Sequence, residues 1–502
     1  MLRRPDRLFS TEKLLVYANV CFRVVMLERL RMFLLTPIDL RGPLTTRHLS
    51  SEEHGMTQWS KVASVFLLIV FVSTPLTAQE EGAGSRILIN NVNIFDGKSE
   101  KLIPDMSVLI EGNKIAKIAG SVLAPDDATV IDGGGRTLTP GFIDAHVHLQ
   151  WNVGPYEFVD SPPDYHAALA LVEARNTLMR GFTSVRDTGG AVFGIKKAID
   201  QGFHPGPRIY ASGAAIGMTS GHGDYRTVNE LPRQLGGPAE TPLERLGISV
   251  FADGVPEVLT ASRDQMRRGA HFLKMFVGGA VSGLRDPLDV AEYSFEEVKA
   301  AADEAKRWNT YLAVHAYTDR STREALEAGA MSIEHANLVT EDTMKLAAQK
   351  GAFMSVQTGF FLAPAPDSFS PSQKERQQLA ADGLDNMMRL AKKHKVKLLF
   401  GTDFVGSLET KKLQLDEFTN RTRWFSPAEI LIQATSGNAE VLAMSGPRNP
   451  YSGRLGVIEE GAYADILLID GNPLEDISIL TEPEDNLALI MKDGKIVKNT
   501  VE

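Results

Sequence analysis

Residues 141–150 read GFIDAHVHLQ. The run from Phe142 to Val147 is apolar enough for a buried strand, and it ends on two histidines, His146 and His148. In a strand, residues two apart point to the same face. The pair can therefore grip one object, and imidazole is the commonest metal-binding side chain. Alone, H-x-H is equally compatible with a half-buried strand that carries two polar residues. The text on either side has to decide between these readings.

Eight short apolar segments recur through the middle of the chain: FIDAHV at 142, TSVRD at 183, RIYASG at 208, HFLKMF at 271, YLAVHA at 311, SIEHA at 332, FMSVQT at 353 and LLFGTD at 398. Helical text such as DYHAALALVEARNTLMRG and SFEEVKAAADEAKRWN separates them. Repeated strand–helix units imply a parallel sheet, and eight of them predict a closed (β/α)8 barrel, an α/β fold. An open doubly wound sheet is the alternative. The lack of Gly-x-Gly-x-x-Gly after an early strand weakens it. On both sides of this region the pattern changes to apolar–polar alternation with Asp-Gly and Gly-Asn turns, in RILINNVNIFDG near the start and LALIMKDGKIVKN near the end. Two such segments are expected to pair into one small β-sandwich.

Polar residues fall at the ends of the predicted barrel strands: His146 and His148 at the first, Lys274 in the fourth, His315 in the fifth, His335 in the sixth and Asp403 at the eighth. Barrel enzymes build their sites at that rim. Any one of these is as readily a satisfied strand-end polar group. Six in matching positions are not. A stretch from about 214 to 258 reads as a long insertion at the same rim, containing His222, Tyr225 and Arg226. Long loops there shape pockets. Residues 358–372 read as a Pro-containing loop after the seventh strand, and His166, His204, His271 and His394 as structural or surface groups.

The chain has 502 residues and a formal charge of −10, which argues against a general nucleic-acid binder. Residues 1–55 are Arg-rich and without clear periodicity. From Met56 the chain reads as a secretory signal: Lys61, an apolar core from Val62 to Val72 too short for a comfortable membrane span, and a small-residue site at Leu76-Thr77-Ala78. The expected organisation is a non-functional leader (1–55), a signal peptide (56–78), a sandwich split between 79–140 and 443–502, and a barrel over 141–442. The expected location is periplasmic or secreted, with no membrane span after signal removal. The single cysteine, Cys21, lies in the leader, so a chain starting at Gln79 has neither disulfide nor thiol chemistry.

Together these motifs resemble the amidohydrolase superfamily. TPGFIDAHVHL, GTD at 401–403 and GAYADILLIDGNPLEDI followed by KDGKIV stand in that family's order, and the resemblance covers nearly all of residues 86–498. GMTSGHGD at 217–224 and HFLKMFVGGAVSG at 271–283 resemble its Xaa-Pro dipeptidase-like and imidazolonepropionase-related branch. The resemblance implies two zinc ions, one held by His146 and His148 and the other by His315 and His335. It implies that Lys274 bridges them as a carboxylated lysine and that Asp403 is both ligand and general acid/base on a metal-bridged hydroxide. A plain lysine is cationic and has no lone pair for a metal, whereas a carbamate offers two oxygens. Lys274 also argues for a two-metal hydrolase, because single-metal members do not place a carboxylated lysine there. His222 is the expected contact to the reacting carbonyl or a substrate carboxylate, with Tyr225, Arg226 and Tyr317 as further substrate-binding candidates.

The implied activity is hydrolysis of a small-molecule amide: a dipeptide of Xaa-Pro type, or an N-acyl amino acid such as ochratoxin. Hydrolysis of a cyclic amide or lactone is the second enzymatic reading. A catalytically inactive binding barrel is the third, and the six retained ligand residues weigh against it. The sequence leaves open a homo-oligomer and the choice among zinc, manganese and cobalt.

Overall fold

The computed structural model describes residues 85–501; the expected leader and signal segment lie outside them. The strands in chain order are β1 (Arg86–Ile94), β2 (Ile103–Glu111), β3 (Lys114–Ala119), β4 (Thr129–Asp132), β5 (Thr137–Pro140), β6 (Phe142–Val147), β7 (Phe182–Asp187), β8 (Arg208–Ala211), β9 (Ala215–Gly217), β10 (Ser249–Phe251), β11 (Leu273–Phe276), β12 (Leu312–Thr318), β13 (Ser332–Leu338), β14 (Phe353–Val356), β15 (Lys397–Phe400), β16 (Ile466–Ile469), β17 (Leu487–Lys492) and β18 (Lys495–Asn499). The fold is mixed α/β with parallel sheets.

Strands from both ends of the described chain meet in one mixed sheet of order β18-β17-β16-β5-β1-β2-β3, with β4 also beside β1. β16 shows why its four residues, ILLI, are all apolar. Ile466 and Leu468 join the cluster of Ile89, Val108 and Leu489 on one face, while Leu467 and Ile469 join the main core on the other. A strand covered on both faces loses the alternation of a half-exposed one.

All eight segments read as barrel strands are strands. They lie in two parallel sets, β6-β7-β8 and β10-β9-β11-β12-β13-β14-β15. Backbone hydrogen bonds link the sets at both ends: Asp403 N donates to His146 O at 2.8 Å, and His271 N to Ala211 O at 2.9 Å. The helices between them follow their sequences. Phe295–Arg307 buries Val298, Ala301, Ala302 and Ala305, the i, i+3, i+4, i+7 stripe of an amphipathic helix. It starts on a reciprocal Ser294–Glu297 capping box and ends on Lys306 and Arg307, as its dipole favours.

Two local expectations need correction. The insertion at 214–258 is not free of regular structure: β9 and β10 pair in parallel inside it and extend the larger sheet. Three-residue strands are too short to show a period. Likewise residues 358–372 are not loop throughout, since Thr358–Leu362 is helical. Its buried first turn is capped from elsewhere, because Glu417 accepts hydrogen bonds from Thr358 N, Thr358 Oγ1 and Gly359 N at 2.8–3.0 Å. No helix among the described residues is long and apolar enough to cross a membrane.

Candidate active site

β6 carries Asp144 and His146 on one face, and His148 follows just past its end. Asp144 accepts from His146 N (3.0 Å), Thr402 Oγ1 (2.6 Å) and Gln414 Nε2 (2.8 Å), which ties the strand to the GTD segment. Burial pushes its carboxyl up to about 6. Both histidines use Nδ1 outward, His146 to Glu334 Oε2 and His148 to the Gly189 carbonyl, each at 2.9 Å. A carbonyl only accepts, and so does an ionised carboxylate. Each Nδ1 therefore bears a proton, and each Nε2 is the nitrogen left to face Asp403. Those two Nε2 atoms converge on Asp403 Oδ1, at 3.4 Å from His146 and 3.1 Å from His148. Asp403 reaches this position from a left-handed backbone, φ 53°. The three ligand atoms lie within 4.8 Å of one another.

His335 Nε2 is 4.0 Å from Asp403 Oδ2 and 2.8 Å from His315 Nδ1. Lys274 is buried, and its Nζ makes neither a hydrogen bond nor an ion pair among the described residues. Burial pushes its amine down to about 8, against the opposing pull of Glu334 and Asp403. Burial likewise lowers His335 to about 3 and His315 well below the usual imidazole range. Burial opposes the charge of Asp403, but His146, His148 and His335 hold it far below ordinary carboxylates. His148 is the exception among the imidazoles: burial opposes its charge, but Asp403 and Asp187 raise it. The chain thus gathers three imidazoles that burial keeps neutral, one that Asp403 draws toward charge, a weakened amine and an ionised carboxylate.

This donor set fits a divalent cation. Neutral imidazole nitrogens and a carboxylate are what such ions take. Only one proton can lie between His315 Nδ1 and His335 Nε2, while the outer nitrogens, His315 Nε2 and His335 Nδ1, are buried without partners among the described residues. A cation would take the place of that proton, with both inner nitrogens as lone-pair donors.

A rim surrounds the cluster. The His222 ring stacks on His315 at 4.5 Å and 18°. Its Nδ1 is 3.1 Å from Asp286 Oδ2, and its backbone N–H donates to Glu292 Oε1 at 2.7 Å. Tyr317 lies flat on His335, rings 4.6 Å apart and 5° from parallel. Tyr225 meets Trp151 edge-on. Neither phenol has a hydrogen-bond partner among the described residues, and burial together with Asp286 and Asp403 raises both hydroxyls above the usual range. Arg226 is placed differently: its fork is taken up by both oxygens of Asp224, and its guanidinium packs over Phe251.

Residues 137–497 match the amidohydrolase family profile, most of the chain. The chain belongs to the amidohydrolase family. Among curated relatives, the ochratoxinase of Aspergillus niger is 31% identical over 386 residues, covering 72% of this chain and 75% of that protein. Among solved structures, an amidohydrolase is 33% identical with a TM-score of 0.77, and a prolidase complexed with N-methylphosphonate-L-proline is 32% identical with a TM-score of 0.77. Each covers 83% of this chain and 100% of the other. These relatives put this amidohydrolase in the dipeptidase-like branch of the superfamily.

Several residues of this amidohydrolase's site escaped the sequence reading: Asp144, Arg186, Asp286, Glu292 and Glu334. For Asp144, Arg186 and Glu334 the available signal was a charged residue inside a strand of otherwise apolar text, as in SIEHA and TSVRD; Asp286 and Glu292 lie outside the strands and carried no such signal.

Proposed function

We propose that this chain is a two-metal amidohydrolase that cleaves the amide bond of a dipeptide or N-acyl amino acid. Convergence of the His146, His148 and Asp403 ligand atoms, beside the His315–His335 pair, is the observation that carries the reading. His146, His148 and Asp403 would hold one ion and His315 and His335 the other, with carboxylated Lys274 between them; a burial-weakened amine is the form that can add carbon dioxide. When bound, divalent ions supply Lewis acidity and a water that ionises near neutral pH.

The rest is done by the chain's own groups. Asp403, held ionised, accepts the proton of the attacking water and returns it to the amide nitrogen as the carbon–nitrogen bond breaks. An amide anion leaves poorly, so that transfer is worth about 10²–10⁴-fold. His222, gripped at Nδ1 by Asp286, turns Nε2 to a substrate oxygen. Tyr225 and Tyr317, with unengaged phenols, are the donors for a carbonyl or carboxylate. Arg226 would have to leave Asp224 to serve, which makes it the weaker candidate.

The two parallel strand sets are read as the wall of one (β/α)8 barrel over 141–442, supported by the Asp403–His146 and His271–Ala211 backbone bonds. The flanking segments 79–140 and 443–502 are read as its β-sandwich, and residues 56–78 as an export signal.

Metal analysis and turnover test the function together. The expected result is about two zinc ions per chain, activity abolished by chelation and restored by zinc, and hydrolysis of Xaa-Pro, Xaa-Arg or N-acyl-Phe substrates in preference to lactones. A metal-loaded protein inert toward every amide in that panel would overturn the reading. Recovery of exported protein beginning at Gln79 tests the signal segment.

A further inference from the structure

Arg186 and Glu334 are both 0% exposed. A buried ion pair takes two charges out of water and as a rule adds little net stability, so its presence calls for another account. Arg186 Nη2 donates to both Glu334 oxygens, at 2.7 and 2.8 Å, and Nη1 donates to Ser332 Oγ at 3.0 Å. Ser332 Oγ donates in turn to Glu334 Oε1 at 2.7 Å. Glu334 Oε2 still takes one more donor, His146 Nδ1. The same arginine closes the loop through Nε, which donates to the carbonyl of Ala145, next to His146, at 2.5 Å. Ring and backbone of His146 are thus set by one pair.

The backbone bends to make this possible. Consecutive strand residues face opposite ways, yet Glu334 and His335 both reach the cluster. Positive φ angles at His335 (80°) and Ala336 (55°) turn β13 midway along its length. Such conformations cost about 1–3 kcal/mol each in a non-glycine residue, and they persist where the surroundings over-determine them.

A competitor stands beside the same nitrogen. Gln357 Nε2, oriented by its donation to Ser355 O at 3.0 Å, lies 3.4 Å from His146 Nδ1. A donor there favours a lone pair on Nδ1 and a proton on Nε2, the opposite of what a metal ligand needs. The two neighbours therefore pull the ring toward opposite tautomers.

We propose that Glu334, clamped by Arg186, is the positioning residue of His146. It overrides Gln357, keeps the proton on Nδ1, and leaves the Nε2 lone pair facing Asp403. The consequence for metal rests on the function proposed above; the tautomer does not.

The test pairs histidine ¹⁵N NMR on the metal-free protein, with the His146 signal assigned by its loss in His146→Asn, with zinc affinity by chelator competition. Wild type should show Nδ1–H. Arg186→Met/Glu334→Leu, which removes both charges at similar volume, should shift His146 to Nε2–H and weaken zinc about 10–100-fold. Arg186→Met/Glu334→Gln, which keeps an acceptor, should restore the tautomer and most of the affinity. Persistence of Nδ1–H in the Leu variant, or zinc affinity within about two-fold of wild type, would overturn the proposal. So would Nε2–H in the wild type, a result that needs no variant to fold. A wild type with Nδ1–H that takes no zinc supports the positioning and sinks the metal reading instead.

Discussion

His315 Nδ1 and His335 Nε2 stand 2.8 Å apart, and the outer nitrogen of each ring is buried without a partner among the described residues. One proton shared between the inner nitrogens satisfies both, but it leaves the outer nitrogens unpaired and sets no further group in the site. Both inner nitrogens are equally placed to turn lone pairs to one cation in place of that proton. His315→Asn is therefore expected to lower bound zinc from about two ions per chain to about one, with the His146–His148–Asp403 site still filled. Inductively coupled plasma mass spectrometry on dialysed protein measures this, and two full equivalents in the variant would contradict the assignment.

Asp403 contacts two imidazoles through Oδ1 and faces a third through Oδ2, and its charge is held far below the normal carboxylate range. Asp403→Asn keeps an oxygen for a metal but cannot take a proton. Turnover is expected to fall about 10²–10⁴-fold, with metal content nearly preserved. Steady-state kinetics on a metal-replete variant decide it, and near-normal kcat would remove the proton-transfer role.

Much of this site was legible because its parts obey short-range rules. His146 and His148 share a face by strand period, and the histidines, lysine and aspartate recur where strand text ends. What was not legible is long-range. Glu334 and Arg186 are 148 residues apart in the chain and read separately as stray charges in apolar strands. Asp286 was passed over because its partner His222 lies 64 residues earlier, in an insertion with no period of its own. The helix at Thr358–Leu362 hid for a similar reason: the carboxylate that caps it lies 59 residues away.

His271 gives a pH dependence unrelated to catalysis. Its Nδ1 accepts from Ala211 N at 2.8 Å, and burial pushes its pKa down to about 4. The unfolded chain binds that proton near pH 6.5. A depressed folded pKa contributes stability that is complete above the unfolded value and is lost as pH falls through the folded one. The window is therefore about pH 6.5 to 4, and the contribution about 3 kcal/mol. His271→Asn keeps an acceptor but does not titrate. Its unfolding free energy should fall less steeply than that of wild type across this window in denaturant titrations at fixed pH, and parallel slopes would exclude the effect.

Arg421 and Glu417 are a second fully buried pair, with Nε–Oε1 at 2.7 Å. Arg421 also donates to the carbonyls of Val356 and Leu399, at 2.6 and 2.9 Å, while Glu417 caps the helix at Thr358. Glu417→Ala leaves a buried guanidinium unpaired and that helix uncapped. A loss of about 3–5 kcal/mol is expected, read by chemical denaturation. A change under about 1 kcal/mol would mean that water or another group replaces the carboxylate.

Gly401 explains why the GTD motif begins with glycine. Its φ lies outside the left-handed region, so the reason is space: a Cβ there would sit 2.6 Å from Ser355 Oγ, 2.9 Å from His146 Cβ and 3.2 Å from His146 N. Ser355 also bonds Gln357, which borders the His146 ring. Any shift that relieves the clash therefore moves a proposed ligand or its neighbours. Gly401→Ala should fold, since the closest contact is a serine hydroxyl that can rotate away, while the contacts to His146 Cβ and N require only a small shift. It should nonetheless lose about 10²-fold in kcat/KM, the scale on which a misplacement of about 1 Å is felt. Metal affinity and kcat/KM should fall together, because both depend on where His146 Nε2 points. Unchanged metal affinity with reduced turnover would show that the glycine serves the substrate side, through Asp403, and not the His146 ligand.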